Sequence, residues 1–321
     1  LPETLISDRP EDFSGYRPTN FDMSYQGDVT VRQALQLSLN VPSVRLLEAV
    51  GPTRLLTRMR RVGVVPTLPR GERAELSIGL GGIGLSLRDL VQLYVNLANG
   101  GASQIAKGGG VTPMPGRMPG LPMLTPVAAW HVGDMLAGVP APPGARSRVI
   151  AWKTGTSYGY RDAWAIGYDG RYVIGVWAGR PDNGAVPGIT GATTAGPILF
   201  EAFDRSRLVQ EALPRAPAGA VRIAASDLPQ PLRRFGSRRE MLAVPARTRS
   251  EALHIAFPIG GTELEAGETS DGALAPVILK LQGGVPPFRL LANGRPNGAT
   301  SRVRQLQWQP EGRGFSRLTV L

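Results

Sequence analysis

A lysine followed by two hydroxyl residues is the group in this chain best suited to chemistry. The tetrapeptide Lys153-Thr154-Gly155-Thr156 carries it, and the chain holds only three lysines among 36 basic residues. An ammonium can shift its pKa and pass protons, whereas a guanidinium cannot. A glycine inside a strand indicates that a ligand or another backbone comes close. The tetrapeptide predicts proton transfer beside a bound ligand, although an ordinary strand with an exposed lysine and a bulge glycine has the same pattern.

The surrounding residues predict three consecutive antiparallel strands. Residues 149–152 form a short apolar run that leads into the lysine, and residues 163–168 and 172–178 are rich in aromatic and β-branched side chains. Asp169-Gly170 is typical of a two-residue hairpin. We therefore expect Lys153 near the head of the first strand of a small sheet.

A second polar pair, Ser38 and Asn40, lies about 115 residues before the lysine. Thr30 and Gln33 form a capping box that begins a helix, and this helix is expected to end near Ser38–Asn40. A second helix is predicted over residues 43–50. The pair therefore lies at a junction between helices, where polar side chains can face a cleft. Taken alone, it is also compatible with ordinary helix capping.

The two motifs and their context resemble a known family. A Ser-x-Asn and a Lys-Thr-Gly are two of the three motifs of penicillin-binding proteins and class A β-lactamases, although Leu39 stands where the pattern has Asp. The segments VTVRQALQLSLNVPSVRLLEAVG and IAWKTGTSYGYRDAWAIGYDGRYVIGVWAG resemble the transpeptidase domain of class A penicillin-binding proteins of the 1C type, over about residues 2–203. A weaker resemblance to that family's C-terminal domain covers residues 246–321.

This resemblance implies an α+β fold of the penicillin-binding and β-lactamase-like transpeptidase type, in which helices accompany an antiparallel sheet. We expect this domain over residues 1–212. Residues 213–245, rich in Pro and Ala at their start, are predicted to be a linker. Short strands with Asn-Gly turns then predict a small all-β sandwich over residues 246–321.

The resemblance also implies a reaction and its residues. Ser38 and Lys153 would relay a proton to the leaving nitrogen, and Asn40 would hydrogen-bond the substrate backbone. Substrate-binding residues would be Thr154, Gly155, Thr156, Tyr158 and Arg161, with the threonine hydroxyls on the terminal carboxylate. The reaction would be DD-transpeptidation, which cross-links peptidoglycan stem peptides at D-Ala-D-Ala. The expected partners are stem peptides, lipid II-derived glycan and β-lactam antibiotics.

One departure from the family pattern limits these roles. No Ser-x-x-Lys occurs in the sequence, so this chain holds no candidate nucleophile. We expect the acylated serine, a glycosyltransferase domain and a membrane anchor upstream, on the periplasmic side of the inner membrane. The 321 residues alone would then be inactive. Two other interpretations remain: a non-catalytic cell-wall-binding module, and a DD-carboxypeptidase or β-lactamase-like serine hydrolase.

Composition narrows the function classes further. The absence of cysteine excludes disulfides and thiolate metal sites, and two histidines in separate regions make a histidine metal centre improbable, so neither metal nor cofactor is expected. The net charge of +11 is dispersed along the chain, and the basic residues are not interleaved with the aromatic residues on which bases would stack. Both features argue against nucleic acid as a partner. No apolar run approaches the roughly 18–20 residues of a membrane span.

Overall fold

The structure is a computed structural model, and it describes residues 1–68, 75–104, 121–146, 148–157, 159–182, 184–186, 188–223, 227–230, 252–258, 260–261, 264 and 273–321. The elements before the lysine strand are β1 (Leu5–Asp8), β2 (Gly27–Thr30), α1 (Val31–Gln36), α2 (Asn40–Val50), α3 (Pro52–Arg61), a 3-10 turn (Leu76–Leu80), α4 (Leu87–Ala98) and α5 (Pro126–Ala137). No helix in the described ranges is long and apolar enough to cross a membrane.

The N-terminal region contains a strand that the sequence did not reveal. Residues 1–28 are rich in Pro, Asp, Tyr and Gly, which predicts an extended loop, but β1 pairs antiparallel with β2. The reason for the error is that the two buried side chains of β1 are Ile6 and Asp8, so the strand lacks an apolar alternation. The Thr30–Gln33 capping box of α1 is confirmed.

Helix α2 begins three residues earlier than its predicted start at Ser43. It includes Pro42 in its first turn, where a missing backbone N–H costs no intrahelical hydrogen bond. The expected junction between two helices is nevertheless present, and it consists of residues 37–39. Ser38 therefore lies between α1 and α2, and Asn40 is the first residue of α2.

The central sheet has the order β3 (Ala151–Thr156), β4 (Asp162–Tyr168), β5 (Val173–Gly179), and every pair is antiparallel. Residues on its two faces pack into different clusters. Trp152 packs with Leu199 and Phe200 of α6 (Gly196–Arg205), whereas Ala151 packs with residues of α4 and α5. Because side chains alternate along a strand, Lys153 shares the face of Ala151, and Thr154 shares that of Trp152. The predicted three-strand block is confirmed.

The turn between β4 and β5 is longer than predicted. Tyr168 pairs with Val173, so four residues form the loop where two were expected. The buried Asp169 carboxylate accepts hydrogen bonds from the amides of Arg171 and Tyr172 and lies 3.1 Å from Arg148. These interactions favour the wider loop over an Asp-Gly turn of two residues.

The C-terminal region is built from two three-stranded antiparallel sheets. One has the order β10 (Gln305–Trp308), β7 (Val277–Gln282), β6 (His254–Phe257), and the other has the order β11 (Leu318–Val320), β8 (Leu290–Ala292), β9 (Arg295–Pro296). Leu279, Leu281, Phe288, Leu290, Leu306 and Trp308 form their shared core. The strand-rich pattern read from residues 253–321 therefore corresponds to strands in the structure.

The start of the predicted linker runs along the first domain. The indole of Trp130 donates to the carbonyl of Pro214 at 3.2 Å, and the Gly170 amide donates to the Glu211 carbonyl at 3.0 Å. Residues 224–226 and 231–245 of the predicted linker lie outside the described residues. The domain limits at 212 and 246 stay predictions.

Candidate active site

The structure brings the two chemical motifs into contact. The Lys153 ammonium donates a hydrogen bond to Ser38 Oγ, and a second to the carbonyl of Thr154 at 3.0 Å. These residues are 115 positions apart, so the contact depends on packing of the α1–α2 junction against the sheet. Contacts between α1 and α5, and between α5 and β3, link the two elements.

Burial changes the acidity of this lysine. Removal of the ammonium from water lowers the pKa of Lys153 to about 8. Desolvation disfavours the charged form of an amine, which accounts for the direction. A lysine with such a pKa can both hold and release a proton near neutral pH, and its hydrogen bond to Ser38 supplies a path for that proton.

The junction that carries Ser38 and Asn40 has an unusual backbone. Ser38 adopts a positive φ of 57°, which is uncommon for a residue other than glycine. The side chain of Asn40 donates to the carbonyl of Thr19 at 2.6 Å, and its backbone amide donates to Asn20 Oδ1 at 2.7 Å. Asn40 is two positions after Ser38, and its hydrogen bonds hold it against residues 19 and 20.

Two buried polar residues lie behind this junction, and the sequence did not identify them as part of the site. Asn20 Nδ2 donates to both carboxylate oxygens of Asp8 at 2.9 Å, and the Gln26 amide donates to the same carboxylate at 2.7 Å. Burial raises the pKa of Asp8, while the hydrogen bonds from Gln26 and Asn20 act in the opposite direction. Asp8 thus orients Asn20, and Asn20 holds the first amide of α2. Nothing in the pattern of residues 1–28 distinguishes these two from loop polar residues.

The threonines of the tetrapeptide lie on the other face of β3. Thr156 Oγ1 accepts a hydrogen bond from the Gly191 amide at 3.0 Å. Strand β3 pairs with β4 alone in the described sheet, so its other side is an open edge at which a peptide can add as a further strand. A hydroxyl that accepts one bond retains its own proton for donation, so Thr156 can still bind an anion at this edge.

The close backbone approach at the tetrapeptide is made by Gly191, which lies against the Gly155 carbonyl, and the approach of a ligand at Gly155 stays a prediction. A Cβ atom on Gly155 would meet Trp164 at 3.7 Å, an ordinary contact. A Cβ on Gly191 would lie 2.4 Å from the Gly155 carbonyl oxygen and 2.7 Å from that of Trp164. Gly191 therefore lets the single turn of π-helix over Gly191–Ala195 pack directly on β3.

We predict that Gly191→Ala destabilises the protein by about 2 kcal/mol, because the added methyl overlaps two backbone oxygens that cannot rotate away. Thermal unfolding monitored by circular dichroism measures the change. Gly312→Ala is the matched control, since nothing lies within 4 Å of its Cβ position. Equal stabilities of the two variants would contradict the packing argument.

The remaining predicted residues follow β3 in the turn before β4. Tyr158 lies outside the described residues. Arg161 directly precedes Asp162, the first residue of β4, and Asp162 accepts a hydrogen bond from the Trp177 indole at 2.8 Å. The structure thus puts Arg161 close to the end of β3, with no contact to Lys153 or Ser38 recorded among the described residues. No group of three or more metal-ligating side chains occurs in the described ranges.

Comparisons with known proteins show what this chain is similar to. Residues 244–321 match the Penicillin-Binding Protein C-terminus Family. The chain is 43% identical to penicillin-binding protein 1C of Escherichia coli (strain K12) over 202 residues, which cover 62% of this chain and 26% of that protein. It is 32% identical to penicillin-binding protein 1B of Vibrio cholerae over 212 residues, or 60% of this chain and 27% of that protein. The chain thus spans about a quarter of the length of these relatives.

Solved structures show the same fold. The penicillin-binding protein PonA1 from Mycobacterium tuberculosis matches with a TM-score of 0.54 at 20% identity, over 68% of each chain, and it has also been solved in complex with penicillin V. Penicillin-binding protein 1A from Haemophilus influenzae matches with a TM-score of 0.53 at 18% identity, over 68% of this chain and 41% of that chain. The expected α+β fold is confirmed. The resemblance to class A penicillin-binding proteins of the 1C type is therefore confirmed by sequence matches on both sides of residue 244.

Proposed function

We propose that this chain carries the proton-relay and carboxylate-binding half of a serine DD-transpeptidase site, which cross-links peptidoglycan stem peptides. The observation that carries the proposal is the hydrogen bond from the Lys153 ammonium to Ser38 Oγ, which joins the α1–α2 junction to the edge strand β3. The relatives named above are penicillin-binding proteins, which supports the same reaction class.

The chemistry requires a proton for the departing nitrogen. In the proposed reaction a serine attacks the D-Ala-D-Ala carbonyl and gives its proton to a base outside this sequence. As the peptide bond breaks, the released D-Ala amine takes a proton from Ser38, which Lys153 resupplies. With a pKa of about 8, Lys153 is largely protonated at neutral pH and releases a proton more readily than an exposed lysine. Ser38 is the intermediate carrier, since its hydroxyl can accept one proton while it donates another.

Binding of the peptide terminus follows from the geometry of β3. A stem peptide would add antiparallel to the open edge, and the Thr154 and Thr156 hydroxyls together with the Lys153 charge would hold its carboxylate. The Thr156 backbone N–H would donate to the oxyanion. Asn40, Tyr158 and Arg161 would contact the substrate backbone or line the cleft.

The nucleophile must come from residues outside this sequence, because the chain has no Ser-x-x-Lys. We propose that the whole protein adds this serine, a glycosyltransferase that uses lipid II, and an anchor in the inner membrane facing the periplasm. Penicillin and other β-lactams would acylate that serine; PonA1 has been solved with penicillin V. The missing motif also favours a second candidate function, a non-catalytic module that binds cell-wall peptides.

Labelling with a fluorescent penicillin tests the proposal and separates the two candidates. The 321-residue chain is expected to remain unlabelled, and a chain lengthened upstream in its reading frame to include a Ser-x-x-Lys is expected to be labelled covalently. Boiling in detergent before electrophoresis removes non-covalent ligand. Labelling of the short chain would refute the assignment of the nucleophile. An unlabelled long chain that still binds stem peptides would establish the binding module.

A further inference from the structure

Lys280 occupies an unusual place in the C-terminal domain. It lies in the central strand β7, is only 9% exposed, and forms no ion pair within the described part of the chain. Leu279 and Leu281, on either side of it, point into the domain core. Because side chains alternate, Lys280 points away from that core, on the outer face of the sheet.

A β-bulge puts a phenylalanine on the same outer face. Ile255 is opposite Leu281, but two residues later Phe257 is opposite Lys280, so the register shifts by one. Residues directly opposite in an antiparallel pair share a face, so Phe257 joins Lys280 while Ile255 packs with the core. Phe257 is buried, and its ring lies 4.0 Å from the Cβ position of Gly159, in the turn after the lysine strand.

The first domain supplies an aromatic cage for the Lys280 ammonium. Lys280 Nζ lies 3.6 Å from the ring centroid of Phe21 and 5.5 Å from that of Tyr160. The two rings pack edge to face with centroids 5.9 Å apart. An ammonium within about 6 Å of a ring centroid is attracted by the ring electrons. Asp22, next to Phe21, adds an electrostatic attraction.

Tyr160, one of the two rings of this cage, belongs to the turn that joins β3 to β4. Tyr160 is 2% exposed and has a φ of 60°, a strained value for an aromatic residue. Its carbonyl accepts from the Val186 amide at 2.9 Å, and its own amide donates to Ser157, the residue after Thr156, at 3.2 Å. Its hydroxyl has no hydrogen-bond partner among the described residues, so packing of the ring holds it in place.

We propose that the C-terminal domain docks on the β3–β4 turn through Lys280 and Phe257 and thereby holds the end of the Lys153–Thr156 strand in place. Lys280 is then a positioning residue, which acts on the site through Tyr160. The docking stands on the contacts above; its effect on acylation rests on the proposed transpeptidase function. The partner of this face of the C-terminal sheet is the first domain of the same chain.

Hydrogen exchange on the 321-residue chain tests the docking, with no need for the nucleophile. Lys280→Met keeps an unbranched side chain that is one atom shorter but removes its charge, and we expect amide exchange over residues 157–162 to rise about tenfold. Lys280→Arg, which retains a cation, is expected to restore most of the protection. The exposed Arg302→Met in the same domain is the matched control and should leave exchange unchanged. Unchanged exchange in Lys280→Met would overturn the proposal.

A substitution in the first domain tests the same contact without a change in the C-terminal sheet, so that misfolding of that sheet does not explain the result. Tyr160→Asn removes the ring and tolerates the left-handed backbone. If the cage carries the docking, the double variant with Lys280→Met exchanges no faster than either single variant. Additive increases in exchange in the double variant would contradict the proposed cage.

The penicillin assay on the lengthened chain tests the positioning. Lys280→Met should reduce the acylation rate constant about tenfold, and Lys280→Arg should keep most of it. Faster exchange with unchanged acylation would overturn the positioning role. Absence of acylation in the unsubstituted long chain would instead count against the proposed function, and the exchange result would still decide the docking.

Discussion

Replacement of Lys153 by alanine is expected to lower the rate constant of penicillin acylation of the lengthened chain by about 10²–10⁴-fold. The magnitude is that of removing a positioned proton donor. Since burial lowers the pKa of Lys153 to about 8, the rate for the unsubstituted protein should also fall as pH rises through 8, where the ammonium loses its proton. Stopped-flow acylation with a chromogenic β-lactam between pH 6 and 10 measures both effects.

Lys153→Arg separates charge from proton transfer. A guanidinium keeps the positive charge near the substrate carboxylate but does not release a proton in this range. We expect it to bind β-lactam better than Lys153→Ala, to acylate slowly and to show no loss of rate near pH 8. A variant with arginine that retained the full rate would show that Lys153 serves only as a charge.

Removal of the Asn20 side chain is expected to cost about 3 kcal/mol in the free energy of unfolding, because the buried Asp8 carboxylate keeps only the Gln26 amide as donor and α2 loses the acceptor at its first amide. Asn20→Ala should lower the melting temperature by roughly 6–12 °C. Differential scanning calorimetry measures it. The same change frees the Asn40 end of α2, so acylation of the lengthened chain should also slow.

The pH dependence and a matched variant identify the cause. Without Asn20 the pKa of Asp8 rises further, so the folded state binds a proton more readily than the unfolded state, and stability falls as pH rises from about 4. The loss in Asn20→Ala should therefore be larger at pH 7 than at pH 4. Asp28→Asn, which breaks the exposed Arg9–Asp28 ion pair, should change stability by less than about 1 kcal/mol. A loss independent of pH would argue against the carboxylate as its source.

The sequence predicted those parts of the fold that local signals specify. The capping box predicted at Thr30 occurs in the structure, and helices also begin after Ser86, with Asp89 three residues later, and at Thr125-Pro126, because each signal is made by side chains within three residues of a helix end. The strand pattern around Lys153 was equally local. The contact of Lys153 with Ser38 was expected only through the family resemblance, since no local signal joins residues so far apart.

Three features of the site could not be predicted because they depend on tertiary packing. Asp8 and Asn20 are polar residues whose burial is set by β1 and the start of α2 rather than by their own neighbours. The close approach at Gly191 depends on the path of the chain after β5. The roles assigned to the predicted site residues stay predictions until a substrate is bound, and these residues are Ser38, Asn40, Lys153, Thr154, Gly155, Thr156, Tyr158 and Arg161.

The bulge in β6 has a practical consequence for anyone who expresses the C-terminal domain by itself. It places an aromatic ring on the sheet face opposite the domain's own core, so this small domain has apolar surface on both sides of one sheet. Separated from the first domain, it would expose Phe257 to water and tend to self-associate. Its solubility should therefore depend on whether it is produced together with residues 1–212.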